Sequence, residues 1–130
     1  MNSLKKEAKI FCEKSKLTGN GHYVRSQRLN SFLKVNKYKS TVYCNKTANQ
    51  INKIIDDSKN PFYLFLDFKN YKKIEIKKNI KILKTLVFEN IDKIRFFNDI
   101  NIFPLDIQFT NNSGAEFYQF PKDFYSKKKF

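Results

Sequence analysis

The run from Thr18 to Arg28 (Thr-Gly-Asn-Gly-His-Tyr-Val-Arg-Ser-Gln-Arg) gathers the chain's scarce residue types: two of its three glycines, its one histidine and two of its three arginines. A helix starting near His22 would leave its first backbone N–H groups facing the Gly19-Asn20-Gly21 turn, an arrangement suited to an anion. Arg25 and Arg28, three residues apart on one helix, would share a face and could flank a phosphate there. An imidazole titrates near neutrality, so His22 is a candidate general base for ribonuclease-type proton transfer, although no partner for it is evident in the sequence.

A second constellation is Asp67, Glu75 and Lys77. A hairpin turning about Tyr71 would set Asp67 opposite Glu75, their carboxylates on one face and close enough to hold one Mg²⁺. Lys77, two residues further on, would share that face and could orient a water. The spacing resembles the D…ExK core of restriction-like metal-dependent nucleases over roughly a dozen residues. That resemblance implies a further acid on a helix before the hairpin, for which the sequence offers Glu7 and Glu13. An ordinary hairpin with a cross-strand lysine–carboxylate pair would give the same residues. Mg²⁺ enters only with the nuclease reading; otherwise no cofactor is expected. Glycine-rich phosphate loops, His/Cys metal clusters and Gly-x-Ser-x-Gly are absent from the sequence.

Around these candidates lies a large positive charge: 23 lysines and three arginines give a formal net charge of +14. Fifteen asparagines, 13 isoleucines and 14 phenylalanines accompany them, the mark of an AT-rich coding bias, so the distribution of charge says more than its size. Residues 1–55 carry ten lysines and two arginines against Glu7 and Glu13, a net of +10. Residues 69–84 carry seven lysines against Glu75, a net of +6, whereas residues 86–123 are net −3. A polarised chain of this kind suits an anionic partner. Lys69, Lys72, Lys73, Lys77, Lys78 and Lys81, with Gly19, Asn20, Gly21, Arg25 and Arg28, are the candidate phosphate contacts. Lysine lacks the planar fork with which arginine reads bases, so weakly sequence-specific binding is expected. Three functions compete: non-catalytic nucleic-acid binding, as a ribonucleoprotein component or a phage- or plasmid-type accessory; the metal-dependent nuclease; and an interaction subunit or inhibitor docking on an acidic protein. The last would use an aromatic patch in residues 103–125.

Elements must position these groups. Leu4, Ala8 and Phe11 recur at helical spacing, predicting a first helix closed by Thr18–Gly21. A second helix is expected from His22 to Val35, burying Leu29, Phe32 and Leu33. A strand over Ser40–Cys44 and a third helix from Thr47, whose Thr-Ala-Asn-Gln reads as a capping box, follow. Phe62–Phe68 is continuously apolar except for Asp67 and reads as a central strand. Strands are expected at Lys73–Lys77, Thr85–Glu89, Lys93–Phe97, Ile102–Phe109 and Phe117–Phe120, with one long helix over 78–97 as the alternative. The fold class expected is α+β, with N-terminal helices packed against a C-terminal, mainly antiparallel sheet. Residues 1–126 would form one domain and 127–130 a basic tail. No apolar run reaches the ~20 residues of a membrane span, and no secretory leader is evident, so the cytoplasm or an organelle matrix is expected. Cys12 and Cys44 fit no metal or redox spacing and are expected to be reduced.

Overall fold

The structure, a computed structural model, describes residues 6–15, 21–90 and 94–102. Its elements are β1 (Glu7–Cys12), α1 (Gly21–Val35), β2 (Lys39–Cys44), α2 (Ala48–Asp56), β3 (Phe62–Asp67), β4 (Ile82–Phe88) and β5 (Asp99–Ile102). The five strands form one sheet in the order β2-β1-β3-β4-β5, and every neighbouring pair is parallel. This overturns the expected antiparallel sheet behind N-terminal helices; strands and helices alternate from β1 to β3, then β4 and β5 follow without a described helix between them, and the first described element is a strand.

The helical stripe at Leu4, Ala8 and Phe11 misleads because β1 lies inside the sheet, between β2 and β3. Ala8 and Ile10 join the core on one face, and Phe11 joins the core on the other. A helix would bury one stripe of this segment, whereas a central parallel strand buries both faces. Phe62–Asp67 is buried along its whole length, as its apolar run requires. Thr47 caps α2 with the reciprocal capping box to Gln50, which fixes where that helix begins. Lys73–Lys77 forms no strand: residues 68–81 run irregularly from the end of β3 to the start of β4, taking the place of a crossover helix. Phe68 and Tyr71 are buried there, and Ile74 and Ile76 pack on the same core. Residues 94–98 lead into β5 as a loop rather than a strand, and β5 shares only Ile102 with the expected Ile102–Phe109. The long-helix alternative over 78–97 gives way to β4. The expected strand at Phe117–Phe120, the 103–125 aromatic patch and the 127–130 tail lie outside the described residues.

Leu29 and Leu33 of α1 pack with Ala8, Ile10, Tyr63, Phe65, Leu86 and Phe88. Ile51 and Ile55 of α2 pack with Phe11, Phe62, Leu64, Leu66 and Val87 on the opposite face. The opposite placement follows from the topology: β1 to β2 steps one way along the sheet and β2 to β3 steps back past β1, so crossovers of one hand put their helices on opposite faces. The order reverses between β1 and β3, and the crevice outside the carboxyl ends of these strands is where doubly wound sheets bind ligands. Among the described residues no helix is long and apolar enough to cross a membrane.

Candidate functional site

Asp67 is the last residue of β3, and its register partners are Cys12 at the end of β1 and Phe88 at the end of β4. Strand alternation turns its side chain to the α1 face, two residues beyond Phe65. A carboxylate there, with 2% of its side chain exposed, must be compensated. The start of α1 supplies the compensation. Nε of Arg25 donates to Asp67 Oδ2 at 2.6 Å and Nη2 to Oδ1 at 2.5 Å, a two-pronged pair. The same Nη2 donates to Glu89 Oε1 at 3.1 Å, and the guanidinium carbon stands 5.3 Å from the centre of the Phe88 ring. Nδ1 of His22 lies 2.7 Å from Asp67 Oδ1. His22 and Arg25, three apart near the helix start, thus reach the same carboxylate.

Glu89 follows β4 directly and holds φ at 56°, a left-handed conformation that costs a non-glycine residue about 1 kcal/mol or more. Its N–H donates to the Ile102 carbonyl at 2.8 Å, tying this turn to β5. From the other face, the Tyr71 hydroxyl accepts the Phe68 N–H at 2.9 Å and lies 2.8 Å from the Leu66 carbonyl and 2.7 Å from that of Phe88. One phenol therefore joins the strand ends that carry Asp67 and Glu89. Glu13, just after β1, accepts the backbone N–H of Lys69, just after β3.

The electrostatics follow from this geometry. The hydrogen bond that Nδ1 donates to Asp67 raises the His22 imidazole above 6.5; burial and the Arg25 charge pull against that, and Glu13 adds to it. For Arg25, burial opposes the charge, but the bonds and charges of Asp67 and Glu89 outweigh it and hold the guanidinium above its ordinary value. Cys12, between Ser26 of α1 and Cys44 of β2, is pushed up to about 12 by burial. Both cysteines are free.

One donor atom each from His22, Asp67 and Glu89 lies within 4.8 Å of the others, a spacing that a divalent ion could bridge. The cation that stands between the two carboxylates is, however, the Arg25 guanidinium, which already takes both Asp67 oxygens and one of Glu89. A metal would have to displace it, and the donor set fits an arginine-compensated cluster.

The remaining candidates scatter. Asp67 does not face Glu75 or Lys77: no hairpin exists, Tyr71 is core rather than a turn tip, and Glu75 and Lys77 are exposed in the connection beside α2. There the Glu75 carbonyl accepts from the Asn52 amide, and the Lys77 N–H donates to its oxygen. Gly19 and Asn20 lie outside the described residues, and Gly21 opens α1. Arg28 is exposed on α1, while Arg25 is drawn inward. Lys69, Lys72, Lys73, Lys77 and Lys78 are all exposed along the β3–β4 connection, Lys78 lying 5.3 Å from the Phe97 ring centre. Lys81 is half-buried, its ammonium on the Asp56 and Ser58 carbonyls at the end of α2. Of the groups that do converge, the sequence singled out His22, Arg25 and Asp67, but in separate constellations, and it missed Glu89. Only the parallel register, which aligns the ends of β3 and β4, reveals that fourth member. No protein-family model, curated protein or solved structure matches this chain.

Proposed function

We propose that the protein binds nucleic acid by its phosphate backbone, at the carboxyl edge of the sheet and along the β3–β4 connection. One observation carries this reading: the carboxylates at that edge are matched internally while the lysines around them are not. Asp67 and Glu89 are held by Arg25 and His22, and Glu13 by the Lys69 N–H. Among the described residues no carboxylate pairs with Lys14, Lys69, Lys72 or Lys73. Lys14 stands beside the switch point, 4.6 Å from the Tyr23 ring centre, and the exposed lysines from 69 to 78 continue from there over the α2 side. A ridge of point charges suits a repeating polyanion and gives little base reading. Arg25 belongs to the cluster rather than to the phosphate contacts, so Arg28 and the lysines carry the binding.

The test is equilibrium binding of single-stranded RNA and DNA across a salt series. Each lysine that meets a phosphate contributes about 0.7 to the slope of log K against log salt for single strands. Changing Lys14, Lys69 and Lys72 to Gln together is expected to flatten the slope by about 2. Absence of binding to either polymer at about 0.15 M salt would refute the reading.

A further inference from the structure

His22 has one ring nitrogen on a buried carboxylate, and no described residue bonds the other. With Nδ1 donating to Asp67, the tautomer is set and Nε2 carries the lone pair, the arrangement in which a buried Asp orients a histidine base. This pair stands at the switch point of a doubly wound sheet, where ligands of such sheets bind. The arginine between Asp67 and Glu89 already serves as the cation of the carboxylate pair. The chemistry left to such a site is imidazole proton transfer. For a phosphodiester, a lone imidazole suffices where the nucleophile is already attached to the substrate, as the ribose 2′-hydroxyl of RNA is.

We propose that His22 is a catalytic base that cleaves RNA by internal transesterification, with Asp67 as its positioning residue. The inference rests on the nucleic-acid reading above. Nε2 takes the proton of the 2′-hydroxyl; the 2′-oxygen bonds to the adjacent phosphorus, and the bond from phosphorus to the 5′-oxygen breaks. The leaving oxygen takes a proton from water, and His22 returns its proton to solvent. The products are a 2′,3′-cyclic phosphate and a 5′-hydroxyl end, with no net water consumed and no redox change. Lys14, its ammonium 4.6 Å from the ring centre of Tyr23, and Lys69, just after β3, add positive charge along the same edge, which favours a phosphate there.

The probe is a single-stranded DNA oligonucleotide holding one ribonucleotide, incubated with the full chain in excess chelator, with the all-DNA strand as control. Cleavage is expected only at the ribonucleotide, with the cyclic phosphate identified by its mass. His22→Gln, purified in parallel, is expected to lose roughly 10²–10⁴-fold in rate while still binding the strand. The rate should rise with pH through the imidazole range. The charged groups facing His22 are Asp67 from β3, Arg25 from its own helix and Glu13 after β1, with Glu89 reached through Arg25. Asp67→Asn should therefore move the rising limb to lower pH, a shift that loss of structure alone would not produce. If Asp67→Asn does not fold, the wild-type pH profile and the DNA control decide the matter. Binding without cleavage would overturn the inference and leave the binding reading standing. Cleavage that needs a divalent ion, or that cuts DNA equally, would also overturn it; absence of binding would sink both.

Discussion

Replacing Arg25 with Ala tests whether the guanidinium is what makes a buried Asp67 tolerable. The variant strips both oxygens of Asp67 of their arginine bonds, at a carboxylate that is 2% exposed in the wild type. Breaking a buried ion pair from one side costs about 3–5 kcal/mol. Glu89, with 30% of its side chain exposed, regains water and adds little to that. His22 remains on Oδ1, so the lower end applies, about 3 kcal/mol where the imidazole is neutral. Removing Arg25 also removes a charge that pulls the His22 value down. In the variant, protonated His22 can take over as the cation, so the loss should shrink by about 1 kcal/mol at acid pH. With a urea slope of about 1.5 kcal/mol/M, the midpoint should fall by about 2 M near pH 8 and by less near pH 5.5. Arg25→Met combined with Asp67→Leu should recover much of the loss, because no uncompensated charge is left behind. A drop below about 0.5 kcal/mol for Arg25→Ala would refute the reasoning.

His22 itself gives the wild-type stability a pH slope: its folded value is raised above 6.5, so its contribution is complete below that pH and fades as pH rises through the folded value. Urea midpoints between about pH 5.5 and 9 should show this decline, and His22→Gln should abolish it. Tyr71→Phe leaves the Phe68 N–H and a strand-end carbonyl without their phenol and should cost about 1–3 kcal/mol by thermal or urea unfolding. Its effect should also reach across the sheet as a shift of the His22 imidazole resonances in NMR titration. Cys12 is fully buried, with its thiol pushed up to about 12, so a maleimide at about pH 7.5 should label Cys44 and spare Cys12. Mass spectrometry of Cys44→Ser should then find the native chain unmodified and the denatured chain carrying one label.

Local signals in the sequence placed α1, α2, β2 and β3 well, because each is written in short-range chemistry. Thr47 and Gln50 mark a helix start, Phe62–Leu66 an all-apolar strand, and Leu29 and Leu33 a helix face. Strand direction is not local. Nothing in Lys73–Lys77 reveals that its alternation serves a loop whose Ile74 and Ile76 pack beside α2, and nothing in Glu7–Cys12 distinguishes a doubly covered strand from one helix stripe. Those two misassignments replaced a parallel sheet with an antiparallel one, and the Asp67–Glu75 pairing fell with the hairpin. The scarcity of His and Arg did point to the start of α1, where half of the cluster stands. Its other half, Asp67 and Glu89, lies 22 residues apart in sequence and meets only through the ladder between β3 and β4.

The phenol of Tyr71 gives the aromatic bias of this chain a further meaning. Its ring sits edge-on between Phe68 and Phe96, 5.8 Å from each, within the core on the α2 side. Its oxygen bridges backbone atoms flanking Asp67 and preceding Glu89, so it acts as a strut whose length sets the gap that one guanidinium nitrogen must span. A residue that coding bias supplies cheaply thus calibrates the distance between two charges it never touches. Repacking this aromatic trio would retune the polar cluster on the opposite face without altering any of its four side chains.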